Sequence, residues 1–174
     1  SFSPPGRQTF FSYTGTVAEG TRNRWSPQAF YYHGPFGGYA EYVHSQGTLR
    51  KGAAAAEVEH EAWQVVGSWV LTGEAAGERN VRPKVSFDPP SHHWGAFQVL
   101  GRVQGLSVSP NAVALGFATP GSSRTVRGYM AGFNWFVAPS VKWNFDFERT
   151  VFDGDPSGPR HAENIFLFRA QFQL

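Results

Sequence analysis

From Asn164 to Leu174 the chain runs in period two with one apolar face, and this stretch restricts the fold more than any other in the chain. In an extended backbone Phe166, Phe168, Ala170, Phe172 and Leu174 share one side, and Arg169, Gln171 and Gln173 share the other. A strand with one fully apolar face suits a place between lipid on that side and a water-filled lumen on the other. The first expectation is therefore an antiparallel transmembrane β-barrel of the outer-membrane type.

The same period of two recurs in segments 22–33, 36–48, 62–73, 94–108, 125–138 and 141–152, separated by clusters of Gly, Pro, Ser and Asp. These exceed the ~5 to 6 residues of a typical soluble strand and suit the ~9 to 11 that a tilted strand needs to cross a bilayer. Trp63, Val65, Gly67, Trp69 and Leu71 lie opposite Gln64, Val66, Ser68 and Thr72. Trp143, Phe145 and Phe147 oppose Lys142, Asn144, Asp146 and Glu148. Pro27 falls inside such a segment, where its missing N–H predicts a bulge or an edge position.

Composition removes other classes. No run approaches the ~18 apolar residues of a membrane-spanning helix, and the 174 residues contain no cysteine, so a disulfide framework and a thiolate metal site are excluded. A formal charge of +2 without a basic cluster gives no nucleic-acid partner. Ser1 to Gly6 lacks the charged start and apolar centre of a leader, so the expectation is a mature chain or part of one. No nucleophile elbow, phosphate loop or zinc-protease helix occurs, so neither catalysis nor a cofactor is expected. His92-His93 point apart in an extended chain without a third ligand, and Asp153 to Gly158 lacks the closing Glu of a calcium loop, so no metal is expected either.

Alternation alone also describes a soluble β-sandwich that binds a ligand. Two features favour the membrane. Tight turns around Gly34-Pro35 and Pro139-Ser140 contrast with longer connections expected at 51–61, 109–124 and 153–163, matching short turns at one rim and long loops at the other. Aromatics also gather on the apolar side: Trp25, Tyr31, Tyr42, Trp63, Trp69, Phe133, Trp135, Trp143, Phe145, Phe147, Phe168 and Phe172 are the lipid-facing candidates. The pore-lining candidates are Arg22, Arg24, Gln28, Glu41, Gln64, Gln98, Arg102, Lys142, Asp146, Glu148 and Arg169. Arg22, Arg24, Arg102, Lys142 and Arg169 favour anions, unless opposite charges such as Glu148 and Arg169 pair across the wall.

RNRWSPQAFYYHGPFGGYAEYVHS (22–45), AWQVVGSWVLTGE (62–74), WGAFQVLGRV (94–103), GFNWFVAPSVKWNFDFERTVFDG (132–154) and the terminal strand resemble, in order and spacing, the carboxyl-terminal half of the phosphate-selective porin O and P family. The resemblance implies a homotrimeric outer-membrane barrel of sixteen strands that passes anionic solutes such as phosphate. Family barrels are about twice this length, and the basic ladder behind their selectivity lies largely in the half without a counterpart here. The final Leu174 departs from the aromatic that ends many such strands. The implied partners are outer-membrane lipids and small anionic or polar solutes, in a trimer or a larger envelope assembly.

Seven strands are odd, whereas single-chain bacterial barrels have even numbers. Two versions follow. In the first, residues 1–21 are a loop or short strand ahead of a barrel segment at 22–174, and further strands complete the wall. In the second, residues 7–17 add an eighth strand and close a small barrel whose interior side chains fill, leaving an anchor or docking subunit.

Overall fold

The computed structural model describes residues 2–78, 80–153, 158 and 160–172. Gln173, Leu174 and the Gly154 to Ser157 part of the loop weighed as a calcium turn lie outside the described residues. One antiparallel sheet holds β1 (Val17–Trp25), β2 (Gln28–His33), β3 (Phe36–Lys51), β4 (Ala54–Val70), β5 (Ala96–Val108), β6 (Thr125–Ala138), β7 (Val141–Asp153) and β8 (Glu163–Phe172). β1 and β2 lie end to end along β3, so eight strands make seven spans. The break falls at Ser26-Pro27, on an edge, as the missing N–H of proline requires; the carbonyl of Pro27 still accepts from Tyr42 N at 3.1 Å.

The sheet is open, ending at β1 and β2 on one side and at β8 on the other. The eight-stranded closed barrel is thereby overturned, because residues 7–16 do not enter the sheet. They fold onto it instead, through isolated bridges Phe2↔Phe11 and Tyr13↔Ala118. Their rings explain the choice: Phe10 and Phe11 bury against Val58, Val108, Ala112 and Phe152, where an added edge strand would leave one face of them in water.

Register carries the alternation across the whole sheet. One row runs Tyr31, Gly38, Gly67, Gly101, Ala131, Phe147, Phe166, and the next runs His33, Phe36, Trp69, Val99, Phe133, Phe145, Phe168. Every residue in both rows points to the same side. This apolar face is uncovered, with Phe166 at 82%, Phe172 at 72% and Val65 at 53% of full exposure. In water so large an apolar surface would drive association; in hydrocarbon it is the matched surface.

The face has a sharp limit toward the rim of the Gly52-Ala53 turn. In six of the strands a polar side chain stands two residues beyond the last aromatic: Asn23 after Trp25, His44 after Tyr42, Glu61 after Trp63, Arg127 after Tyr129, Arg149 after Phe147 and Asn164 after Phe166. Toward the opposite rim the outward residues stay apolar or aromatic nearly to the strand ends, through Trp69, Trp135, Trp143 and Phe172.

Connections correct the sequence reading twice. The long connection expected at 51–61 is a two-residue turn, Gly52-Ala53, because β3 and β4 continue past the apolar band. Gly52 at φ 59 and Gly34 at φ 53 each take the first central position, as a type II′ hairpin demands. Pro139 cannot adopt positive φ, and its hairpin instead shifts register between Phe136 and Ala138. The other correction is residues 71–95, a long connection on the rim that also carries the two tight turns Gly34-Pro35 and Pro139-Ser140. It docks through Ala76 N to Gly34 O at 2.8 Å and Phe87 N to Val137 O at 2.7 Å.

Candidate functional site

The face opposite the aromatics carries all eleven polar candidates. Register places Arg24 beside Ser45, Gln28 beside Glu41, Glu41 beside Gln64, Gln98 beside Asn134, and Asn144 between Asn134 and Arg169. Arg22 joins them by donating from Nε to Ser45 Oγ at 2.9 Å. The side chains form two clusters and a basic corner.

Glu41 is the centre of the first cluster. Its Oε1 accepts from Ser26 Oγ and Gln28 Nε2, both at 3.0 Å, and its Oε2 accepts from Tyr39 OH and Gln64 Nε2, both at 2.8 Å. Four donors fill the four lone-pair sites of a carboxylate. All four are neutral, so Glu41 keeps its negative charge while strapping the broken edge strand to β3 and β4.

The second cluster corrects the expected pairing of Glu148 with Arg169. Glu148 is fully buried and takes Arg102 Nη2 at 2.8 Å and Gln104 Nε2 at 2.9 Å. Arg169 sits beside Asn144, four residues along β7 from Glu148, too far along the strand to reach it. Arg102 and Glu148 belong to strands separated by β6, and glycine makes their meeting feasible. A Cβ at Gly128 would stand 2.8 Å from Gln104 Nε2 and 3.1 Å from Glu148 Oε1, and one at Gly132 would collide with the Asp146 carboxylate. Gly128 and Gly132 thus cut a trough in β6 through which β5 and β7 connect.

The basic corner lies nearer the rim of the tight turns. Lys142 Nζ stands over the Phe136 ring, 5.6 Å from its centroid. Arg102, Arg169 and Lys142 all lie within electrostatic reach of Asp146. Asp146 Oδ1, Asn144 Oδ1 and Arg102 Nε are buried and lack hydrogen-bond partners among the described residues. Tyr39 on Glu41, Gln104 on Glu148 and Asn134 on Gln98 join these clusters without having been candidates; Tyr39 and Gln104 share the parity of Glu41 and Arg102 on their strands, and Asn134 alternates with Phe133 and Trp135.

Both ends of the polar face are covered. Toward the Gly52-Ala53 rim, residues 2–16 and 109–124 knit together through Thr14 N to Phe117 O at 2.9 Å, Thr119 N to Ser12 O at 2.8 Å and Ser123 N to Phe10 O at 2.8 Å. Arg160 clamps this cover by donating to Thr9 O and Phe10 O, each at 3.2 Å. Burial pushes the Tyr13 phenol up to about 12, and its oxygen lies 2.6 Å from His60 Nε2. Between the cover and the wall remains a cavity of about 390 Å³, with Phe2, Pro4 and Phe10 above Gln64, Arg102 and Gln104. At the other rim, Val81 and Ala76 of 71–95 pack on Val70, Ala96 and Phe136. Glu74 anchors that connection through Thr72 and the Lys84 amide. Burial works against its charge, but these hydrogen bonds and the Lys84 charge prevail and hold its carboxyl below the usual range.

A family model described as phosphate-selective porin O and P matches residues 6–174. No curated protein matches the chain significantly.

Proposed function

From the premise that this chain belongs to the phosphate-selective porin O and P family, porins of the bacterial outer membrane, we propose that its polar face lines a water-filled passage for small hydrophilic solutes, with a preference for anions such as phosphate. The aromatic face is then the lipid-facing surface. One observation carries this reading: the twelve aromatic and eleven polar candidates lie on opposite faces of one continuous sheet. The charges bear on selectivity unequally. Arg102 is neutralised by Glu148, Glu41 is an uncompensated anion and Asp146 offsets part of the Lys142 and Arg169 charge, so anion preference rests on the remainder of Lys142 and Arg169 and on Arg22 and Arg24 at the edge. Rings of such side chains attract anions and retard cations. The open sheet is one part of a wall completed by further strands, and a homotrimer is the proposed assembly. The row Gly38, Gly67, Gly101, Ala131 offers a shallow strip for close approach of another protomer.

Single-channel recording of the full-length protein in a planar bilayer under a salt gradient tests the reading. Discrete steps with an anion-leaning reversal potential, and chloride current blocked by inorganic phosphate, are expected. A silent bilayer despite verified insertion contradicts it.

A further inference from the structure

Arg127 and Arg149 stand just past the edge of the apolar face on neighbouring strands, both exposed. Among the described residues neither has a carboxylate partner; Arg149 Nη1 reaches Asn164 Oδ1 at 3.5 Å. Register sets Arg127 against Val151 and Arg149 against Tyr129, which makes the arginines diagonal neighbours, roughly 7–8 Å apart. Their side chains are long enough to converge on one tetrahedral anion.

Beside them the apolar face is indented. A depression of about 270 Å³ runs between Trp63 and Tyr129 over Val103 and Gly105, with Arg127 at its polar end. Gly105 creates it: a Cβ there would come within 2.7 Å of Trp63 Nε1, so the indole lies over bare backbone. A groove walled by tryptophan and tyrosine that ends at the Arg127 guanidinium, with Arg149 diagonal to it beside Tyr129, matches an acyl chain bearing a phosphate. A solute in the passage cannot reach it, because it opens on the opposite face. Two of the three connections at the other rim are tight turns, Gly34-Pro35 and Pro139-Ser140, against one of three, Gly52-Ala53, at this rim; short turns are periplasmic in such barrels, so the groove faces the outer leaflet.

We propose that this groove binds a phosphorylated glycolipid of the outer leaflet, one acyl chain lying between Trp63 and Tyr129 and one phosphate bridged by Arg127 and Arg149. The proposal rests on the lipid-facing reading of the apolar face.

The test is native mass spectrometry of the delipidated full-length protein in detergent, probed with bisphosphorylated lipid A, its dephosphorylated form and phosphatidylglycerol. A charge-assisted phosphate contact predicts on the order of tenfold more adduct with the phosphorylated form than with the dephosphorylated one. The Arg127→Gln/Arg149→Gln double variant loses that preference while keeping heat-modifiable gel migration and unchanged conductance; Arg127→Lys/Arg149→Lys keeps much of it. Equal uptake of the two forms, an unaffected double variant, or equally strong competition by phosphatidylglycerol overturns the proposal. So does a conductance change in the double variant, which would put these arginines on the aqueous side.

Discussion

Val65 and Gln64 are consecutive residues of β4 on opposite faces, and placing lysine at each in turn weighs the two environments against each other. The apolar stretch from Trp63 in β4 to Leu71 just past its end extends ~26 Å at ~3.3 Å per residue, or ~20 Å across the membrane at a tilt of ~40°. Its middle is Gly67. Val65, two residues away, lies ~5 Å from the midplane by the same geometry. Lysine at the midplane of such barrels costs about 2–4 kcal/mol, falling toward the interface, so Val65→Lys should destabilise by about 2–3 kcal/mol. That is about 30- to 150-fold in the folding equilibrium. No steric term competes, because Val65 is 53% exposed. Gln64→Lys keeps a donor on Glu41 Oε2, adds an opposite charge, and should stay within about 0.5 kcal/mol. Urea titration of the full-length protein in lipid vesicles, followed by tryptophan fluorescence, measures both. If Val65→Lys is as mild as Gln64→Lys, the apolar face meets water and the reasoning fails.

Three further outcomes follow from the polar face and its covers. Glu148→Ala strands Arg102 in a site where Glu148 is fully buried and Arg102 is 26% exposed; after discounting the ~3–5 kcal/mol of a fully buried pair for that exposure, urea titration should read a loss of about 2–3 kcal/mol. Arg169→Gln should move the reversal potential toward the cation side more than Arg102→Gln does, since the Arg102 charge is already met by Glu148; equal shifts would contradict the assignment. Glu74 has a depressed folded value, so its contribution to docking residues 71–95 is complete above the ordinary glutamate range and is lost as pH falls through the folded value. Limited proteolysis of 71–95 should therefore accelerate at acid pH, and Glu74→Gln should flatten that dependence.

How far the sequence could be read is set by where water lies. Within the apolar band the period of two is enforced, because a polar outward residue there meets hydrocarbon, and segments 125–138 and 141–152 matched β6 and β7 within a residue. Beyond the band both faces meet water and the rule lapses. Ala54 to His60, rich in Ala and Glu, therefore read as a loop although it prolongs β4. Residues 7–17 alternate like a strand, but all except Val17, the first residue of β1, serve as a cover. Their destination was signalled elsewhere, by Val58, Val108 and Phe152, apolar residues on the otherwise polar face that need a lid. The Arg102–Glu148 bridge eluded reading because it depends on the absence of side chains at Gly128 and Gly132, on a strand between the partners.

The central claim is that one face of the sheet meets lipid and the other an aqueous passage, and the absence of cysteine from these residues allows a direct measurement. Single cysteines placed in turn at 62–69 in β4 of the full-length protein, in intact outer membranes, would be exposed to a membrane-impermeant thiol reagent. The account predicts modification at 62, 64, 66 and 68 and protection at 63, 65, 67 and 69. Uniform modification, or protection at the even positions, would contradict it.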